Sequence, residues 1–251
     1  MDHKGIVKAG RLSPVIFGNF PIKNALARLG GEMFIRDAAL DGYLLDAQAA
    51  DHHDVPAQAS ASVVTNEWVL TGGGTEDDEA YLSVNPVDLD LSKGERFAFQ
   101  ASLNFADTDA NVAIFAGIHT GGAAAALGNY DSSGPVLIVP EVLSVGIFLK
   151  AAEDSSGVTD SKDVFLAKHD GTTLTLVDTG ASLVAGVAKT VGLIGDGSGR
   201  VQVVVGNSVV KKVSIPFALP SDAVASVILK NQAADTGTLT LGRLLAVAVS
   251  D

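Results

Sequence analysis

Between Arg96 and Phe105 the chain alternates with period two. Phe97, Phe99, Ala101, Leu103 and Phe105 fall on one side, and Ala98, Gln100, Ser102 and Asn104 on the other. Successive side chains of an extended chain point to opposite faces, so this spacing predicts a half-buried antiparallel strand. The apolar stretch Val112 to Ile118 follows as a second strand. Val164 to Val177 reads as a hairpin in which Asp170-Gly171 supplies the two positive-φ positions of a type I′ turn. Arg200 to Ile215 reads as another, with Gly206-Asn207 as a two-residue turn that has glycine first. The last run sets Leu239, Leu241, Arg243, Leu245, Val247 and Val249 against Thr238, Thr240, Gly242, Leu244, Ala246 and Ala248. Apolar residues on both sides predict a central strand. Many short strands, turns rich in Gly, Asn and Asp, and no long helix predict an all-β antiparallel sandwich or jelly roll over residues 61–251.

The first 60 residues break this pattern. Pro14, Pro21, Gly30-Gly31 and Gly42 interrupt them, and two short stretches have helical spacing: Ile22, Ala25, Leu26 and Leu29, then Leu40, Leu44 and Leu45. Both are too short to be stable alone. Ile16, Phe17, Phe20, Met33, Phe34 and Ile35 make the segment too apolar for a disordered tail. It is read as an irregular N-terminal arm, packed either on its own sandwich or on another subunit. The polar, alanine-rich stretch from Ala47 to Ala61 is its connector to the body.

Composition narrows the function classes. The 251 residues contain no cysteine, which removes disulfides and thiolate metal sites. Mean hydropathy is +0.32, yet no apolar run reaches the roughly 18 residues of a spanning helix, so no membrane partner is expected. Met1 to Gly5 has no basic stretch leading into an apolar run, so no secretory signal is expected. The net charge of −12 argues against nucleic acid as a ligand, because phosphate recognition needs clustered Lys and Arg. Residues 1–50 carry six basic and five acidic side chains, whereas residues 51–110 carry two and twelve. The run Glu76-Asp77-Asp78-Glu79 therefore belongs on the surface, since adjacent carboxylates cannot be buried unpaired.

No catalytic set is visible. Of His3, His52, His53, His119 and His169, only His52-His53-Asp54 clusters, and adjacent residues of an extended chain point apart, so solvated loop histidines are the reading. Gly195-Asp196-Gly197-Ser198-Gly199 has the wrong order for a nucleophile elbow and reads as a turn. Asp107, Asp109 and Asn111 place oxygen ligands at alternate positions like the start of a calcium loop, but the glycine and the distant glutamate are missing. They are a calcium candidate only, and no cofactor is expected. Trp68, the sole tryptophan, could form a sugar platform but reads better as a core residue, because one aromatic without partners makes a poor glycan site. No strand carries the paired carboxylates that sugar hydrolysis requires.

Four pieces in order, Arg96 to Phe105, Val112 to Ile118, the strands around Asp170-Gly171 and the hairpin Arg200 to Ile215, with the final strand closing the sheet, resemble the concanavalin A-like jelly-roll superfamily in its laminin-G and lectin-like form. Low charge, no cysteine, heavy Ala, Gly and Val use and a separate arm make the chain look like a tailed-phage capsid decoration (cement) protein. That resemblance implies a virion location, after synthesis in the host cytoplasm, a homotrimer, and the major capsid protein or another virion protein as partner. Arg11, Phe17, Phe20, Arg28, Phe34 and Arg36 are the contact candidates under this leading reading. The alternative is a carbohydrate-binding, lectin-like module of a phage fibre or tailspike. A glycosidase or lyase on the same fold ranks last.

Overall fold

The computed structural model describes residues 32–37, 43–46, 60–64, 67–72, 79–84, 96–105, 112–120, 143–151, 161–197, 199–214, 223–231 and 237–250. Among them fifteen strands are formed: β1 (Glu32–Asp37), β2 (Tyr43–Asp46), β3 (Ser60–Val64), β4 (Glu67–Thr71), β5 (Glu79–Val84), β6 (Arg96–Phe105), β7 (Val112–Thr120), β8 (Ser144–Ala151), β9 (Ser161–His169), β10 (Leu174–Val184), β11 (Lys189–Gly195), β12 (Arg200–Val205), β13 (Ser208–Ser214), β14 (Ala223–Asn231) and β15 (Thr238–Ser250). They assemble into two antiparallel sheets. The eight-stranded sheet runs β13-β12-β11-β6-β15-β4-β3, with β1 also on β15; the seven-stranded sheet runs β10-β9-β8-β7-β14-β5-β2.

The inner faces make one core. β6 contributes Phe97, Phe99, Ala101, Leu103 and Phe105, as its alternation predicts, opposite Ile114, Ala116 and Ile118 of β7 and Val145, Ile147 and Leu149 of β8. Phe97 and Phe99 are 1% and 0% exposed, and fully burying a side chain of this size contributes about 2–3 kcal/mol. Trp68 belongs to this core on β4. Lys162, at a core-side position of β9, is also buried, with its ammonium 5.7 Å from the centroid of the Phe105 ring, a cation–π placement that lets the charge sit against the aromatic face.

The hairpin read over Arg200 to Ile215 forms over the described part, β12 and β13, and Ile215 lies outside the described residues. Val205 faces Ser208, leaving Gly206-Asn207 as the two-residue loop, and Gly206 takes a φ of 60° that suits glycine. Between β11 and β12, where the turn is expected, Asp196 Oδ1 accepts from the Arg200 amide; Ser198 lies outside the described residues. Three readings are corrected. The β9–β10 loop spans the four residues 170–173 between the paired His169 and Leu174. It is therefore not a type I′ turn; Asp170 Oδ1 accepts from the amides of Thr172 and Thr173 and caps the loop instead. On β15 the pairing with β6 shifts between Leu241 and Arg243. The bulge at Gly242 inverts the alternation, so Leu239, Leu241, Leu244 and Ala246 face the core while Arg243 and Leu245 turn outward. Finally, Leu44 and Leu45 lie on β2, paired with Ser83 and Leu82, and are not helical.

Two strands of the first 60 residues thus belong to the sheets. β1 pairs with the C-terminal half of β15 over six positions, from Glu32–Ser250 to Asp37–Leu245. Truncation before residue 32 keeps this ladder, and truncation before residue 41 removes it. At about 1 kcal/mol per lost backbone hydrogen bond, the shorter chain is expected to be less stable by roughly 2–6 kcal/mol in denaturant titration; equal stability of the two truncations would contradict the pairing.

Candidate functional site

Among the described residues, the outer face of the seven-stranded sheet carries a set of aromatic and polar side chains outside the sandwich core. Register places Tyr81, Ile228, Phe115, Phe148, Phe165 and Asp178 side by side on β5, β14, β7, β8, β9 and β10. Tyr81, Phe115, Phe148, Ile228, Ala113 and Ala167 form a second apolar cluster, with Phe165, Leu174 and Leu176 half-buried against it. The next row is Ser226, Gly117, Gly146 and Ala167. Its glycines are spatially required. A Cβ on Gly146 would fall inside the Phe115 ring, and one on Gly117 would meet the Gly146 Cα and the Val145 carbonyl. Two small residues on adjacent strands therefore form the slot into which Phe115 lies flat.

Beyond the slot lies a polar row: Val224, His119, Ser144, His169 and Leu174. His119 Nε2 accepts from the Ser226 hydroxyl at 2.8 Å, and its Nδ1–H donates to the Thr120 carbonyl at 3.3 Å. Burial lowers the His119 pKa from 6.5 to about 4, against a smaller opposing effect of the Thr120 hydrogen bond. The imidazole is neutral at pH 7. A hydroxyl donating to a histidine whose other nitrogen is fixed is the arrangement of an activated nucleophile, but His119 and Ser226 are each 1% exposed. The pair acts as a buried structural link between β7 and β14. His169 Nδ1 accepts from the Gly171 amide and helps set the β9–β10 loop.

A patch on the outer face of the eight-stranded sheet is also buried. Ala98, Gln100, Ile194, Val204 and Leu245 are each 7% exposed or less. Ala98 and Gln100, on the polar-reading side of β6, are thus not the solvated half that alternation alone predicts. The Gln100 Oε1 and Asn104 Oδ1 acceptors on this side have no hydrogen-bond partner among the described residues.

The candidates named from sequence are only partly placed. Arg11, Phe17, Phe20 and Arg28, the calcium candidates Asp107, Asp109 and Asn111, and His52-His53-Asp54 lie outside the described residues. Phe34 and Arg36 are on β1, opposite Ala248 and Ala246 of the same chain. Trp68 is 6% exposed and is not a sugar platform. Among the described residues no three His, Asp or Glu side chains converge on a metal position. The Ser226–His119 link and the glycine slot were missed by sequence reasoning; the only signal was the small-residue pattern Ala116-Gly117-Ile118-His119.

No protein-family model matches the chain, and no curated protein matches its sequence. Solved structures do. The Emp47p carbohydrate recognition domain superposes with a TM-score of 0.52 at 15% identity, covering 86% of this chain and 98% of that domain. Peanut lectin gives 0.52 at 13% identity, over 82% of this chain and 97% of the lectin. A legume lectin-like domain from Entamoeba histolytica gives 0.50 at 12%, over 81% and 88%. At these identities the likeness shows the fold, a concanavalin A-like β-sandwich.

Two expectations follow. Gly146→Ala is expected to destabilise by about 1–3 kcal/mol, because Phe115 is buried and cannot swing aside; an unchanged melting temperature would contradict the slot. For His119 the folded pKa lies below the unfolded one, so the unfolded chain binds the extra proton between pH 6.5 and about 4. Stability should therefore fall by about 3 kcal/mol as pH drops through that window and level off below it. His119→Gln should flatten this part of the denaturation profile, and parallel profiles for the two proteins would exclude His119 as its source.

Proposed function

We propose that this concanavalin A-like sandwich is a carbohydrate-binding module that acts without catalysis. The observation that carries the reading is the extent of the superposition: the chain spans 98% of the Emp47p carbohydrate recognition domain and 97% of peanut lectin. It holds for the body as a whole and not for a shared hairpin.

The burial pattern directs where sugar contacts would come from. Trp68, Phe115 and Phe148 are each 6% exposed or less, so none offers a face for a pyranose ring to stack on. Contacts then fall to polar groups in the connections between strands, where hydroxyl recognition by carboxylates and amides suits a polyhydroxylated ligand. The stretch Asp107–Asn111, between the end of β6 and the start of β7, is the candidate with that chemistry.

The virion decoration reading ranks second. It rests on composition and on an arm docking to a capsid protein in a trimeric assembly. Of its six contact residues, the two within the described residues sit on a strand paired to the chain's own β15. The Emp47p domain, peanut lectin and the Entamoeba histolytica domain, all lectin-like, do not add to it.

On a glycan array the intact protein is expected to bind a defined subset of sugars. Asp107→Ala combined with Asp109→Ala should lower that binding at least about tenfold with no change in melting temperature, the scale of losing one charge-assisted contact. A flat array with folded protein would overturn the reading, and undiminished binding by the variant would remove this stretch from it.

A further inference from the structure

From residue 179 to residue 221 the chain carries Lys189, Arg200, Lys211 and Lys212 against one carboxylate, Asp196. This is a local charge of +3 in a protein of −12, so the remaining residues sum to −15. The four cations fall on β11, β12 and β13, the flank that ends the eight-stranded sheet. None of the four side chains makes an ion pair among the described residues. On the last strand, β13, Val209, Lys212 and Ser214 are exposed while Val210, Lys211 and Val213 are half-buried. β13 pairs with β12 alone among the described residues, so that one side of its backbone has no strand partner among them.

We propose that β13 is a docking edge for an acidic extended peptide segment, which adds to the sheet as a further antiparallel or parallel strand. This surface is independent of the carbohydrate reading. Register gives the edge its selectivity. Lys212 faces Gln202 and stands on the outer side of the sheet, diagonal to Arg200, which faces Ser214. Lys211 faces the core residue Val203, so it stands on the opposite side. A strand laid along β13 presents successive side chains to alternate faces. Adjacent carboxylates on it would therefore meet Lys211 on one face and the Lys212–Arg200 pair on the other.

Lysines on an edge strand ordinarily repel indiscriminate pairing. Here they select by charge. A second copy is a poor occupant: antiparallel self-pairing about the centre of β13 sets Lys211 opposite Lys211 of the other copy, and like charges directly opposed destabilise a sheet. An acidic strand reverses the sign of that interaction and gains main-chain hydrogen bonds as well, the mode of peptide recognition by strand addition.

The test uses the full chain and a labelled peptide of glutamate and valine, beside the same peptide with glutamine for each glutamate. Binding is followed by fluorescence anisotropy, and amide exchange is followed on β13. The acidic peptide is expected to bind and to slow exchange across Ser208–Ser214. The glutamine peptide, and the acidic peptide on Lys211→Glu/Lys212→Glu, should each bind at least about tenfold more weakly. Lys211→Gln/Lys212→Gln serves as the second variant should charge reversal impair folding, with the same direction expected. Absence of binding to the intact protein would overturn the proposal. So would acidic-peptide binding that leaves β13 exchange unchanged or that survives charge neutralisation. Polygalacturonate that competes with the peptide without itself slowing β13 exchange would also overturn it, since a polyanionic glycan would then account for the basic flank.

Discussion

The pairing of β6 with β15 is the constraint on which the sandwich depends. Ten Cα pairs join the two strands, from Leu239–Phe105 to Val249–Arg96, and each strand also holds other partners. β6 carries β11 on its far side; β15 carries β4 on its first half and β1 on its second. Core side chains are supplied at matched positions, so Phe97, Phe99, Leu103 and Phe105 of β6 and Leu239, Leu241, Leu244 and Ala246 of β15 lie in one cluster. A one-residue slip would send each of these to the wrong face. The ladder absorbs the single misfit at Gly242, a residue without a side chain, where the bulge keeps both halves of β15 in register with the core.

Much of this was legible in the residues. β6 was readable because its apolar positions are uninterrupted, and the Gly206-Asn207 hairpin because its turn chemistry is local. The central place of β15 followed from apolar residues on both sides. What failed to show has a common cause: it depends on partners distant in sequence. The bulge at Gly242 leaves the residue pattern unchanged and appears only when β15 is laid against β6. Leu44 and Leu45 form a four-residue strand because β5 offers an edge, and their spacing alone could not separate strand from helix. The burial of Gln100 and Phe115 on outer faces reflects covering that no periodicity encodes.

The same burial shapes the functional account. Aromatic side chains on an outer sheet face suggest a platform for flat ligands, but Phe115 is locked over Gly117 and Gly146 and Phe148 is enclosed beside it. His119 is likewise taken up by buried hydrogen bonds, its Nε2 accepting from the Ser226 hydroxyl and its Nδ1–H donating to the Thr120 carbonyl. The described strands thus form a well-packed frame, and in proteins generally binding chemistry tends to sit on the loops that such a frame carries. The carboxylates Asp107 and Asp109 are candidates from sequence alone, because charge is visible there, and they lie outside the described residues.

Residue-resolved hydrogen exchange on the native protein reads out the β6–β15 ladder strand by strand. If the β6–β15 ladder is the spine, amides within Arg96–Phe105 and Thr238–Ala246 should exchange only through global unfolding and be the slowest in the chain, while those of β13 exchange faster through local opening. Amides of β15 exchanging as fast as those of β13 would contradict it.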